Sequence, residues 1–111
     1  MSRSETASAE PQLVRVQEKL DVVASKAFEA ELLAKLGAAG TVLYVDFAGC
    51  PYVSSAGLRA VLIAAKTARK SEKKLVLAGM NPLVAEVFKV SGFDRMLTIE
   101  PDLDTARAKH G

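Results

Sequence analysis

The alternation of apolar and polar positions along the chain predicts strands and helices that follow one another in turn. Residues 12–17, QLVRVQ, alternate polar and apolar side chains, which predicts a short strand with one solvated face. Residues 25–36 carry apolar side chains at a spacing of four, as an amphipathic helix does, and Asp21 or Ser25 is expected to cap it. The almost continuous apolar run at 41–47 predicts a strand that is covered on both faces.

The second half of the chain continues this order. Residues 56–70 are too long for a strand and predict a helix, and residues 74–78, KLVLA, predict a buried strand. Asn81-Pro82 is a typical helix start, and the helix should end near Gly92. A short strand is predicted at 96–99, followed by a last helix from Pro101-Asp102 towards Lys109.

The order β-α-β-α-β-α-β-α indicates the fold class. Strands separated by helices of this length are joined by parallel crossovers. We therefore predict a single α/β domain over residues 12–111, with a small, mostly parallel sheet of about four strands and about four helices. The 12–17 strand should lie at or near an edge, and one edge strand could run antiparallel. Residues 1–11 are small, polar and end in proline, which predicts a flexible N-terminal tail.

Composition and charge narrow the class of protein. The chain has 111 residues, half of them apolar, and a formal net charge of +2. No apolar run approaches the ~18–20 residues of a membrane span, and no secretory signal is evident, so we expect a cytoplasmic protein without membrane insertion. The single Cys50 agrees with a reducing compartment. Basic residues cluster at 66–74, but no aromatic residue accompanies them, so a nucleic-acid partner is not expected.

The segment 42–58, VLYVDFAGCPYVSSAGL, is the main candidate for function. An apolar strand ends at Asp46, a loop with glycine and proline follows, and Ser54 and Ser55 stand just before the next helix. In open α/β sheets, functional groups gather beyond the carboxyl ends of the strands. A serine hydroxyl here has three possible roles: a helix cap, a nucleophile, or a site of phosphorylation.

These roles differ in what else they require. A cap contributes about 1 kcal/mol and needs only a free backbone amide. A hydrolase nucleophile needs a G-x-S-x-G turn and a nearby base, but Val53 replaces the first glycine and the only histidine is His110. No phosphate loop, dinucleotide motif or metal-ligand cluster is present in the sequence, so we predict neither an enzyme nor a cofactor or metal site. Phosphorylation needs an accessible hydroxyl, and a helix N-terminus tolerates the added charge.

Three segments and the order of the elements resemble the STAS domain, specifically the stand-alone anti-sigma factor antagonists of bacterial partner-switching systems. The segments are KLD at 19–21, VLYVDFAGCPYVSSAGLRAVL at 42–62 and KLVLAGMNPLVAEVFKVSGFDRML at 74–97. The resemblance covers roughly residues 12–100. In that family, a serine just before a helix is phosphorylated within the motif Asp-Ser-Ser/Thr-Gly-Leu.

Aligning Gly57-Leu58 with the end of that motif assigns the other positions. Ser55 falls on the phosphorylated serine, Ala56 on the second hydroxyl residue, and Ser54 on the aspartate, which this chain lacks. Ser54 is therefore a second candidate for phosphorylation. The resemblance further implies that Asp21 and Asp46 lie near the serine and that they, with Gly57, support its loop.

The resemblance also implies the partners. A GHKL-type serine kinase, which is also the anti-sigma factor, would bind the unphosphorylated protein, and a PP2C-type phosphatase would reverse the modification. ATP and Mg²⁺ belong to the kinase, so no cofactor is expected here. A helical wheel places basic and apolar side chains beside the serine, which predicts a docking surface. That surface comprises Ser54, Ser55, Ala56, Arg59, Leu62, Ile63 and Lys66.

Two other functions remain open from the sequence. STAS domains resembling this one also serve as accessory subunits of membrane transport complexes, including lipid-transport ATPases, without a phosphorylation cycle. A hydrolase-like enzyme is the third hypothesis and would require ester turnover that depends on Ser55. The edge strand at 12–17 could pair with a second copy, but nothing requires it, and a monomer is expected.

Overall fold

The computed structural model describes residues 12–110, and the predicted tail at 1–11 lies outside them. These residues form a four-stranded sheet and its connecting helices. The strands are β1 (Gln12–Arg15), β2 (Val42–Asp46), β3 (Lys74–Ala78) and β4 (Thr98–Glu100). The helices are α1 (Val22–Ala38), α2 (Ser55–Lys70), α3 (Pro82–Ser91) and α4 (Leu103–His110), with a 3-10 turn at Asp94–Met96.

The sheet is parallel throughout, with strand order β1-β2-β3-β4. The expected edge position of β1 is confirmed, whereas the allowance for an antiparallel edge strand was wrong. Each pair of neighbouring strands is joined by a segment that contains a helix, and the helix carries the chain back along the sheet before the next strand begins. As a result, the carboxyl ends of all the strands meet at one edge.

The two faces of the sheet are covered differently. One face packs against α1, α2 and α3 in the main core, whose largest side chains include Phe28, Leu32, Phe47 and Phe88. Phe47 contacts Phe28 and Phe88 edge to face, with ring centroids at 6.3 Å and 6.1 Å respectively. This arrangement joins α1, the end of β2 and α3. The other face carries a smaller cluster of Tyr44, Val76 and Ala78 beneath Ala106 of α4.

Most predicted elements are confirmed, with changes at their ends. Asp21, not Ser25, caps α1, which continues to Ala38 past Gly37. The strand predicted at 96–99 was wrong at its start, because the amide of Met96 closes a turn onto Phe93 and the strand begins only at Thr98. No helix within residues 12–110 has the length and apolar character needed to cross a membrane.

The C-terminal helix is tied to the sheet through Glu100. Its carboxylate lies 2.8 Å from Nε2 of His110 and 3.3 Å from Nζ of Lys109. The Lys74 ammonium lies 3.3 Å from Nδ1 of the same histidine. Because an ammonium has no acceptor, Nδ1 must accept and Nε2 must carry the proton that it donates to Glu100. This hydrogen bond from His110 is the main reason that the pKa of Glu100 is lowered.

Phe47→Ala should be severely destabilising, because the ring is fully buried between two other aromatic rings. We expect the free energy of unfolding to fall by roughly 3–5 kcal/mol. Urea unfolding followed by circular dichroism measures this. The matched control is Val90→Ala, since Val90 is 74% exposed and should change stability by less than about 0.5 kcal/mol. Equal effects of the two substitutions would contradict this account of the core.

Candidate functional site

The two serines at the start of α2 have different environments. Ser54 is the N-cap residue, with extended backbone angles, and its Oγ accepts a hydrogen bond from the amide of Gly57 at 3.2 Å. Ser55 is the first residue of the helix and its side chain is exposed. The structure therefore assigns the capping role to Ser54, a choice that the sequence left open. The hydroxyl of Ser55 is not needed for the cap.

The loop before these serines is paired with the segment that precedes α1. The Leu20 amide donates to the Tyr52 carbonyl at 2.8 Å, and the Ser54 amide donates to the Leu20 carbonyl at 2.9 Å. These bonds form a parallel bridge between Leu20 and Val53. Asp21 follows directly and caps α1 through Oδ1, which accepts from the Ala24 amide at 2.8 Å. The starts of α1 and α2 are thus held side by side.

Gly57 permits this close approach. A Cβ at this position would lie 3.0 Å from the Cβ of Leu20 and 3.0 Å from Cγ1 of Val53. Contacts this short are tighter than nine in ten real Cβ contacts, so Leu20 and Val53 would have to move by a few tenths of an ångström to admit a side chain. The expectation that Gly57 supports the loop agrees with this geometry.

Asp46 supports the other end of the loop, and the hydrogen bonds of its carboxylate go to Arg15 and Ala48 and not to the serines. Its carboxylate is almost fully buried, with Oδ2 3.1 Å from Nη1 of Arg15 and Oδ1 accepting from the Ala48 amide at 3.0 Å. Arg15 is the residue paired with Asp46 across β1 and β2. Gly79 packs against the same carboxylate, where a Cβ would lie only 2.8 Å from Oδ1, and its φ is +75°. A buried carboxylate needs such partners to remain charged.

The middle of the loop is fixed by Asn81 and Cys50. Asn81 caps α3 through Oδ1, as the sequence predicts, and its Nδ2 also donates to the Cys50 carbonyl at 3.3 Å. The Cys50 thiol donates to the Tyr52 carbonyl at 3.2 Å. The sequence indicated neither contact: the first depends on β3 lying beside β2, and the second depends on the local shape of the loop. The loop is therefore braced from β1, from α1 and from the start of α3.

The surface that follows Ser55 along α2 is partly basic and partly apolar. Arg59 and Lys66 are exposed, as the helical wheel predicts, while Leu62 and Ile63 are half-buried. The exposed and half-buried side chains share one side of the helix with Ser55. The opposite side is buried in the core and comprises Gly57, Ala60, Val61, Ala64 and Ala68.

Two properties of the site bear on its chemistry. Residues 12–110 contain no group of three or more His, Cys, Asp or Glu side chains that could hold a metal ion. The thiol of Cys50 is buried, and burial raises its pKa. Glu100 and His110 form a titratable pair on β4 and α4, outside the loop of residues 47–54 that precedes α2, which we call the serine loop.

Comparison with known proteins identifies the family. The family model described as "Mlab, STAS domain" matches residues 4–99. The chain is a STAS domain. This STAS domain is similar to BtrV of Bordetella bronchiseptica, which is named as a candidate anti-sigma factor antagonist. The two sequences are 39% identical over 80 residues, which cover 72% of this chain and 69% of BtrV.

Solved STAS-like structures share the fold. The anti-sigma factor antagonist SpoIIAA, in its unphosphorylated form, is 18% identical with a TM-score of 0.68, and the match covers 87% of this chain and 84% of that one. The STAS domain of a SulP transporter from Vibrio cholerae is 16% identical with a TM-score of 0.66, covering 87% and 78%. At these identities the likeness concerns the fold alone.

Gly57→Ala should destabilise this STAS domain by roughly 1–3 kcal/mol, because the added methyl group meets Leu20 and Val53. The matched control is Gly37→Ala in α1, where no atom lies within 4 Å of the added Cβ. That control should stabilise the protein by about 0.5–1 kcal/mol. Thermal and urea unfolding measure both. Stabilisation by both substitutions would contradict the close approach at Gly57.

The Cys50 thiol should react slowly with an aromatic disulfide reagent at pH 8 in the native protein. Burial shields the sulfur, and the raised pKa lowers the fraction of thiolate at any given pH. In denaturant the same thiol should react at the rate of an ordinary cysteine. The reaction is followed by absorbance. A native rate equal to the denatured rate would show that the serine loop opens freely.

Proposed function

We propose that this STAS domain is an anti-sigma factor antagonist switched by phosphorylation at Ser55. The observation that carries the proposal is the division of roles between the two serines. Ser54 caps the helix through its Oγ, and Ser55 is exposed at the first helical position. A kinase can therefore use the Ser55 hydroxyl without removing the cap. Ser54 remains the second candidate, but its modification would cost the hydrogen bond to Gly57.

The position of Ser55 suits a switch that leaves the fold intact. A phosphoryl group adds about −1.5 to −2 charges at neutral pH. The N-terminus of α2 accommodates negative charge, because its first amides and the helix dipole point towards the added group. Arg59 lies one helical turn further on and is exposed, so it can pair with the phosphate. The modification changes the surface and spares the core.

The proposed partner binds the unphosphorylated form through the surface around Ser55. That surface consists of the serine pair, Ala56, and the side chains of Arg59, Leu62, Ile63 and Lys66. The half-buried Leu62 and Ile63 supply apolar contact area, and the exposed cations supply charge. A phosphate on Ser55, at one end of this surface, would exclude a closely fitting partner and would repel any acidic group of that partner. Release then follows from steric and electrostatic conflict.

The relatives support the identity of the partner. BtrV is 39% identical and is named as a candidate anti-sigma factor antagonist, and SpoIIAA, which shares the fold, is an anti-sigma factor antagonist whose structure is that of its unphosphorylated form. These names support an anti-sigma factor as the partner. The family resemblance of the sequence implies further that this partner is a GHKL-type serine kinase and that a PP2C-type phosphatase restores the binding form. The protein itself is a regulatory binding protein of the cytoplasm and not an enzyme.

A second candidate function is an accessory subunit of a membrane transport complex. The STAS domain of a SulP transporter has the same fold, with a TM-score of 0.66. The two functions differ in their use of Ser55. An accessory subunit should keep its partner when Ser55 is replaced by Asp, whereas the switch protein should lose it.

Phosphorylation at Ser55 can be tested by intact-protein mass spectrometry after incubation with ATP, Mg²⁺ and GHKL-type serine kinases of the same genome. We expect one added phosphate on the wild type and on Ser54→Ala, and none on Ser55→Ala. Ser54→Ala should remain folded, because loss of a serine cap costs about 1 kcal/mol. Calorimetric titration with the kinase should then show binding by the wild type and loss of binding by Ser55→Asp.

The variants also separate the alternatives. A phosphate that is retained in Ser55→Ala and lost in Ser54→Ala would move the site to Ser54. The absence of phosphate in every folded preparation, together with a transport partner that binds Ser55→Asp as well as the wild type, would favour the accessory subunit. Circular dichroism of each variant establishes that it is folded.

A further inference from the structure

A second candidate binding site lies at the end of the molecule opposite the serine loop. A cleft of about 300 Å³ opens between the C-terminal part of α2, the start of β3 and the start of β4. Ser55 begins α2, whereas the cleft is lined from Ala65 onwards. The cleft therefore lies at the amino ends of the strands, far from the proposed phosphorylation site along the helix.

The cleft combines an apolar floor with a basic rim. Its rim carries Arg69, Lys73 and Lys74, against a single acid, Glu72. Its apolar lining consists of Ala65, Ala68, Leu75, Met96 and Leu97. Met96 is 44% exposed, so part of its apolar surface is accessible to a ligand in the cleft. The cleft thus offers apolar contact and positive charge together.

Arg69 is the rim cation that is available to a ligand. The Lys73 ammonium donates to the Leu36 carbonyl, and the Lys74 ammonium contacts His110. Arg69 forms no ion pair with any residue from 12 to 110. Its guanidinium presents paired donors whose spacing matches the two oxygens of a carboxylate. The charge of the cleft therefore favours an anionic group held by Arg69.

The shape of the site favours a peptide over a small molecule. A smaller depression adjoins the cleft and shares Ala65, Arg69 and Met96 with it, and it also contacts Leu62 and Lys66. Together they form an open groove along α2 that reaches the surface proposed for partner binding. Small-molecule sites enclose most of their ligand, and an open groove cannot do this. A chain segment can follow the groove and reach both ends.

We propose that this groove binds an acidic segment of the protein partner. One carboxylate of the segment pairs with Arg69, and a neighbouring apolar side chain packs against Met96 and Leu97. The identity of the partner rests on the proposed function, whereas the groove itself does not. Because Arg69 lies near the end of α2 opposite Ser55, the contact at Arg69 contributes the same affinity before and after phosphorylation. Phosphorylation of Ser55 then determines whether the complex dissociates, and the groove contributes to the overall affinity of the complex.

The groove can be tested with a short fluorescein-labelled peptide of glutamate and leucine, with fluorescence anisotropy on the full chain. Arg69→Gln should raise the Kd by about tenfold, as expected when a charge-assisted hydrogen bond is lost. The matched control is Lys89→Gln, an exposed cation on α3 outside the groove, which should change the Kd little. Ser55→Asp should bind the peptide like the wild type, and a peptide of lysine and leucine should not bind.

Two outcomes would overturn the groove proposal. One is an equal Kd for Arg69→Gln and wild type when circular dichroism shows that both are folded. The other is complete displacement of the peptide by inorganic phosphate alone, which would indicate a site for small anions. Failure of the proposed function is a separate result. If no kinase modifies Ser55 but the peptide still binds through Arg69, the groove stands and only the assigned partner is wrong.

Discussion

The backbone pairing between Leu20 and the serine loop is the constraint on which the candidate site depends. Two hydrogen bonds, from Leu20 to Tyr52 and from Ser54 to Leu20, hold the starts of α1 and α2 together. Gly57 is required because any Cβ there would strike Leu20 and Val53. With the backbone of Ser54 held in this way, its hydroxyl faces the Gly57 amide, and Ser55 becomes the exposed first residue of the helix.

The rest of the loop is supported so that a change at Ser55 stays local. Asp46 is paired with Arg15 and with a loop amide, and Asn81 holds the Cys50 carbonyl from the start of α3. Arg15 ends β1 and Asn81 follows β3, and the parallel sheet brings the ends of these strands to the same edge as the loop. A loop braced from several sides should keep its shape when charge is added. The proposed switch therefore acts through electrostatics and surface fit, not through unfolding.

The two ends of α2 have different properties. Its N-terminus carries a serine in a favourable position for a negative group, and the region near its C-terminus carries unpaired positive charge beside exposed apolar surface. The side of the helix that joins them holds Arg59, Leu62 and Lys66 and faces outwards, while its other side is buried against the sheet and α1. One helix can thus offer two contacts to the same partner. Phosphorylation changes the contact at Ser55 and leaves the contact near Arg69 unchanged.

The local pattern of the sequence was sufficient for the order of elements, for the cap at Asn81 and for the position of the serine loop, and it narrowed the cap of α1 to Asp21 or Ser25. These features depend on neighbours within a few residues, as periodicity and capping do. The strand at 96–99 was misplaced because Met96 and Leu97 have the composition of a strand, and only the turn from Phe93 shows otherwise. Other features were decided by tertiary structure alone. The parallel edge strand, the pairing of Arg15 with Asp46 and the backbone bond from Ser54 to Leu20 each depend on segments far apart in the chain. The groove beside Arg69 likewise exists only because β3, β4 and α2 meet there. The sequence by itself determined which residues form the elements, because those preferences are local. The packing of the helices on the sheet determines which side chains already have partners within the protein and which are available to another molecule.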